Sequence, residues 1–295
     1  VGLLINPEQC RRQKKLLQEL IETALEHGIN AYYFKSLDLA VMREAASILS
    51  VVDRNIIFVG ALAHDVQAGL SGFSYEFATM KERLRWAIKD TGFDYLDFLT
   101  LDHPTQNRVP DDTMAFLMSL RRAKMVRSLC AIGETGDFPD LWQSADYHAI
   151  TTTLNMDSDW AKRNAITQSL SLDINIFCEN YFPDYLKDPH QHIKSERVGG
   201  FLGMGGHINP LINTGTYAFL YQTPEWSAEE LCLAYVLAEP NISSVWIAPE
   251  NARHLIGLAE VPERELPPSV PAQIEMARFN NKSNNPAEFP QKKLF

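Results

Sequence analysis

Short apolar runs alternate with amphipathic stretches along most of the chain. VGLLIN (1–6) reads as a strand. Residues 11–27 read as a helix, because Leu16, Leu17, Leu20, Ile21, Ala24 and Leu25 fall on one face, and Gly28 follows as a C-terminal stop. The pattern predicts further strands at AYYF (31–34), NIIFVGALA (55–63), YLDFLTL (95–101), SLCAIGE (128–134), YHAITTTLN (147–155), INIFCEN (174–180) and SSVWIAP (243–249), with a weaker signal at GGFLGM (199–204). Helices are expected between them over about 39–50, 75–90, 111–123, 158–171, 227–238 and 251–259. Repeated strand–helix units imply parallel strands joined by crossover helices. A count near eight favours a closed (β/α)8 TIM barrel over an open sheet. Residues 1–260 are assigned to the barrel. Residues 261–295, rich in Pro, Asn and charge, are expected to form an extended C-terminal arm.

Bulk properties narrow the function without naming it. A length of 295 residues suits one barrel, and 45% hydrophobic residues allow a sizeable core. A net charge of -10 argues against a nucleic-acid or anionic-membrane binder, which needs excess Lys and Arg. Cys10, Cys130, Cys178 and Cys232 are far apart and form no CxxC pair. They read as small buried hydrophobes in a reducing, cytoplasmic setting. No stretch reads as a signal peptide or a long apolar span. GMGGH (203–207) lacks the strand context and spacing of a phosphate-binding loop, and SGFS (71–74) lacks those of a nucleophile elbow.

The polar residues of interest sit at strand ends. A closed barrel would gather Asp38, His64, Asp65, Asp102, His103, Glu134 and Glu179 at its mouth. Carboxylates and imidazoles together suit acid/base chemistry or a divalent cation. No pair has ligand spacing along one element, so no metal is expected. His190 and His192 in DPHQH would face one way in an extended segment, but a surface loop is the plainer reading. His64–Asp65 and Asp102–His103 could equally be caps and surface contacts. Trp246 and the ENYFPDY segment (179–185) supply aromatic surface, either as packing or as a ligand platform near Glu179 and Tyr181. Strand alternation turns one of Tyr32 and Tyr33 into the barrel and the other outward.

Four stretches in order resemble the aldo-keto reductase family: IETALEHGINAYYF (21–34), YLDFLTLDHP (95–104), KMVRSLCAIGET (124–135) and AYVLAEPNISSVWIAPENARHLIGLAEV (234–261). The resemblance implies a (β/α)8 barrel of aldo-keto reductase type with its site at the C-terminal ends of the strands. It also implies carbonyl reduction by NADPH, with a tyrosine as proton donor, an aspartate and a lysine tuning it, and a histidine orienting the carbonyl. Placed on that pattern, the aspartate position reads Tyr33, the tyrosine Asp38, the lysine Ala61 and the histidine Asp102. A carboxylate is ionised at neutral pH and cannot replace a phenol as donor. Ala61 cannot tune a neighbour, and Asp102 would repel a developing oxyanion.

The implied cofactor positions depart as well. The Ser-Asn pair that grips the carboxamide reads Thr135–Gly136, the following glutamine Thr151, and the aromatic residue under the nicotinamide Glu179. At the adenosine end stand Glu250, which would repel a 2′-phosphate, and Arg253, which could contact the nucleotide. The adenine-contacting asparagine falls at Gly257 or Leu258. NADPH is therefore disfavoured and NADH is the nicotinamide nucleotide the site could take, but a cofactor-free protein is the leading expectation. That expectation is a pseudo-oxidoreductase binding a small molecule or a protein partner. The alternatives are a cofactor-independent dehydratase, isomerase or hydrolase using Asp102 and His103, and an NAD(H)-dependent oxidoreductase with Tyr33 or His103 as the unusual donor.

Overall fold

The structure, a computed structural model, describes residues 1–13, 15–63, 75–187 and 215–284. Eight parallel strands close on themselves: β1 Gly2–Ile5, β2 Ala31–Phe34, β3 Phe58–Leu62, β4 Leu96–Leu101, β5 Val126–Ile132, β6 Ala149–Thr153, β7 Asn175–Glu179 and β8 Ser244–Ile247. Closure runs through Gly2 against Trp246 and Leu3 against Ile247. The expected (β/α)8 barrel is thus present, and each strand falls within its apolar run except β5, which begins two residues earlier, at Val126. The barrel is complete without residues 199–204, which lie outside the described residues, as do GMGGH, SGFS, His64, Asp65, His190 and His192.

Strand alternation sorts the core into two parts. Tyr33, Leu62, Phe98, Cys130, Ile132, Ala149 and Trp246 pack together inside the barrel, with Leu4, Ala31 and Phe177 against them. Tyr32, Phe34, Ala61, Leu99, Ala131, Ile150, Cys178 and Val245 belong to the shell between strands and helices. The interior is aromatic. Tyr33, Phe98, Phe177 and Trp246 have ring centroids 5.2–5.6 Å apart. Two glycines make room for these rings. A Cβ on Gly60 would lie 2.1 Å from the Phe98 ring, and one on Gly2 would lie 2.2 Å from Trp246 Cζ3.

The helices follow the amphipathic pattern. Leu16–Glu26 buries Leu16, Leu17, Leu20, Ile21 and Ala24, and Gly28, at φ 75°, takes the left-handed conformation that ends it. Helix Ala228–Leu237 opens with a reciprocal capping box between Ser227 and Glu230. The C-terminal arm departs from expectation. It holds a short 3-10 turn, Val261–Glu263, and a helix, Ser269–Asn284, instead of an extended chain. Val270, Ile274 and Ala277 recur at helical spacing and are buried, and Pro271 sits in the first turn, where its missing N–H costs nothing. Among the described residues, no helix is long and apolar enough to cross a membrane.

Candidate functional site

The C-terminal strand ends carry the titratable groups, as the barrel architecture requires. β4 ends in Asp102, whose backbone is held on both sides by one phenol. The Asp102 N–H donates to Tyr75 Oη at 2.5 Å, and that hydroxyl donates to the Asp102 carbonyl at 3.0 Å. Asn107 Nδ2 donates to the same carbonyl at 3.0 Å. His103 follows with φ 42°, an uncommon conformation for a residue with a side chain. Its Nδ1 lies 2.7 Å from Asp102 Oδ1, which leaves Nε2 as the ring nitrogen directed elsewhere. The sequence-predicted pair Asp102–His103 is therefore a bonded dyad.

Glu179, at the end of β7, lies across the mouth from Lys35, with Nζ 2.7 Å from Oε2. Lys35 escaped the sequence analysis, although the signal was available. It lies two residues beyond Tyr33, so alternation turns both the same way. Inside the barrel the Tyr33 hydroxyl has that of Thr100 as its polar neighbour, and Thr151 Oγ1 is buried without a hydrogen-bond partner among the described residues. Burial pushes the Tyr33 phenol well above its ordinary pKa.

Three of the tetrad positions have structural roles in this barrel. Tyr33 is a fully buried core aromatic whose ring lies tilted against both Phe98 and Trp246, which gives it a packing role. Asp38 is an N-cap. Its Oδ1 accepts from the Ala40 and Val41 N–H groups at 3.1 and 3.2 Å, and its other oxygen faces Arg11. Ala61 faces the helices, and the inward positions of β3 are Gly60 and Leu62. The lysine position is therefore apolar by either reading. Glu134 is also drawn off the mouth, by Lys162 of the helix Trp160–Ser171.

The remaining expected positions scatter. Thr151 faces inward, and Thr135 is half-buried beyond β5. Glu250 and Arg253 are both exposed around Asn251, which caps the helix Ala252–Glu260. Beside them runs a network that sequence reasoning missed. Tyr181 Oη donates to Glu229 Oε1 at 2.6 Å, and His254 Nε2 lies 3.1 Å from Glu229 Oε2. The Glu250 N–H donates to His254 Nδ1 at 3.2 Å. Burial opposes ionisation of Glu229, but the bonds from His254 and Tyr181 outweigh it and hold the carboxyl below its ordinary range. Hydrogen bonding to Glu229 in turn raises His254. Among the described residues, no three His, Cys, Asp or Glu side chains form a metal-binding group.

No protein-family model matches the sequence, and no curated protein matches it. Solved structures do match in shape. An aldo-keto reductase from Bacillus halodurans in its holo form aligns over 94% of this chain and 91% of its own, with TM-score 0.69 and 14% identity. The aldose reductase of Giardia lamblia covers 95% of this chain and 92% of its own, with TM-score 0.66 and 15% identity. The apo form of the Bacillus enzyme gives TM-score 0.63 at 13% identity, over 94% of this chain and 90% of its own. At this level of identity the likeness is one of architecture: the chain has the (β/α)8 barrel fold of the aldo-keto reductases.

Proposed function

We propose that this barrel binds a small molecule at its C-terminal mouth and does not carry out nicotinamide-dependent carbonyl reduction. The observation that carries the reading is the Lys35–Glu179 ion pair. In the family the chain resembles, the Glu179 position holds an aromatic residue beneath the nicotinamide. A carboxylate bonded to an ammonium offers no apolar face, and covering the pair with a neutral ring would strip its water. Two further features agree. The Tyr33 hydroxyl is sealed in the aromatic core, with its pKa raised by burial, so it is a poor proton donor. On β3 the inward residue nearest the mouth is Leu62, so no lysine projects there to lower a neighbour's pKa. The test is a panel of aldehydes and ketones offered with NADH and NADPH while the nucleotide absorbance is followed. The expected result is no hydride transfer above background; stereospecific oxidation of either nucleotide would refute the reading.

A second reading, cofactor-free acid/base catalysis, is favoured by the Asp102–His103 dyad. A carboxylate bonded to Nδ1 fixes the orientation of the ring, which leaves Nε2 to exchange protons with a substrate. The backbone beneath is pinned by Tyr75, and His103 is held at φ 42°. If a dehydration, isomerisation or hydrolysis is found, His103→Ala should lower kcat by about 10²–10⁴-fold. An unchanged rate would remove the dyad from the chemistry.

A further inference from the structure

The loop between β6 and the helix Trp160–Ser171 is folded on itself. Asn155 Oδ1 accepts from the Asp157 N–H at 3.0 Å, Ser158 Oγ accepts from the Asn155 N–H at 3.0 Å, and the Ser158 N–H donates to the Asn155 carbonyl at 3.1 Å. Local bonds of this kind fix a loop's shape, so it moves as a unit. On its inner side the loop holds the end of β7. The Leu154 N–H donates to the Glu179 carbonyl at 3.4 Å, Asn155 Nδ2 donates to the Asn180 carbonyl at 3.2 Å, and Cys178 Sγ donates to the Leu154 carbonyl at 3.3 Å. Glu179 carries the ion pair with Lys35. With Asn180, Tyr181, Lys187 and Glu229 it also lines a cavity of about 80 Å³.

On its outer side the same loop is held by the C-terminal helix, along two routes. Arg278 of Ser269–Asn284 donates from Nη1 to the Ser158 carbonyl, and its Nη2 pairs with Glu275. The second route is indirect. The helix packs against the 3-10 turn Gly215–Tyr221, and Tyr217 of that turn donates to Asp157 Oδ1 at 3.1 Å. One short loop therefore joins the C-terminal helix to the β7 corner of the mouth. The Asp102 corner lies outside this chain of contacts, because Tyr75 and Asn107 hold it.

The helix is attached over a narrow stripe. Val270, Ile274 and Ala277 are buried, whereas Met276 beside them is 66% exposed. A helix of 16 residues is marginal on its own in water, so leaving the barrel and unwinding are one event. Segments with few buried contacts open at far lower free energy than a core. We propose that the C-terminal helix is a strap that regulates the mouth. Seated, it fixes the β6 loop and with it the Glu179 corner; released, it frees that corner and the cavity beside it while the barrel stays closed. That this corner serves ligand binding rests on the proposed function, which the strap deepens by naming what controls the site.

The test is amide hydrogen exchange read by mass spectrometry on the full chain without ligand. Arg278→Ala should raise exchange in 269–278, 154–159 and 179–181 together, by about tenfold or more, and leave β4 and its Asp102 corner unchanged. Tyr217→Phe removes one hydroxyl and keeps the test informative if Arg278→Ala fails to fold. It should raise exchange in 154–159 and 179–181 in the same direction. Three results would overturn the strap: a rise confined to the helix, an equal rise across β4, or no rise. Saturable NADH binding would instead overturn the non-redox reading and leave the exchange pattern as it is, so the two failures are distinguishable.

Discussion

At the scale of single residues, two side chains show how position decides role. Asp38 has the chemistry of an acid but the place of a cap, and with both oxygens engaged it is occupied structurally. Asp38→Ala should therefore lower stability by about 1–2 kcal/mol in urea unfolding, with ligand binding unchanged. The exposed end of its contact with Arg11 adds little to that figure. His254 makes a prediction in pH. Bonding to Glu229 raises its pKa above 6.5, against the opposing effect of burial. Protonation gives up the exposed Glu250 N–H contact for a charge-assisted bond to Glu229. A raised folded-state value means that the stabilisation is complete below the unfolded value of about 6.5 and is lost as pH rises through the folded one. The melting temperature should fall across that interval just above 6.5, and His254→Gln should flatten the fall. An equally steep fall in the variant would place the titrating group elsewhere.

The Asp102–His103 dyad was legible because a Pro-closed polar corner after an apolar strand marks a barrel tip. Lys35 was legible in principle from alternation after Tyr33. The tie between Tyr181, Glu229 and His254 was not, since it joins the segment after β7 to two helices that are distant in sequence. Nor was Tyr75, whose hydroxyl reaches Asp102 across 27 residues.

At the scale of elements, the periodicities carried most of the information. Seven of the eight strands sit inside their predicted runs, β5 begins two residues before its run, and the helix expected over 111–123 ends within one residue, at Arg122. The arm after Val261 was misread because polar composition masked three helically spaced apolar residues, Val270, Ile274 and Ala277. Sequence also gave no sign of the partner that each barrel glycine serves. Gly60→Ala would drive a Cβ into the Phe98 ring and should cost about 1–3 kcal/mol in urea unfolding, since the ring is held by Tyr33, Phe177 and Trp246. An unchanged midpoint would show that the ring can move aside. At the opposite end of the barrel, Asp97 ties β4 to its neighbours. It accepts from the Val59 N–H at 2.9 Å, Arg54 at 2.8 Å and Arg127 at 2.9 Å, while both guanidinium groups lie over the Tyr95 ring. Asp97→Ala should cost about 3 kcal/mol, because it leaves the buried Val59 N–H and two cations without their acceptor. Arg127→Ala should cost much less, because that side chain is 44% exposed.

At the scale of the whole molecule, a barrel of aldo-keto reductase shape carries a mouth of different chemistry. The architecture tolerates this because the strands and the shell around them set the fold, while the strand ends set the site. The mouth presents an Asp–His dyad, a Lys–Glu bridge and a small cavity of mixed charge. The central proposal is that this mouth does not accept a nicotinamide nucleotide. Titration of the purified protein with NADH and with NADPH, read by nucleotide fluorescence and by thermal shift, tests it most directly. Saturating ligand at about a hundredfold excess over its dissociation constant would add about 2.7 kcal/mol to the apparent stability, well within detection. The account predicts no saturable change with either nucleotide up to millimolar concentration. A saturable rise in melting temperature with NADH, weakened by Arg253→Ala, would contradict it and restore an oxidoreductase.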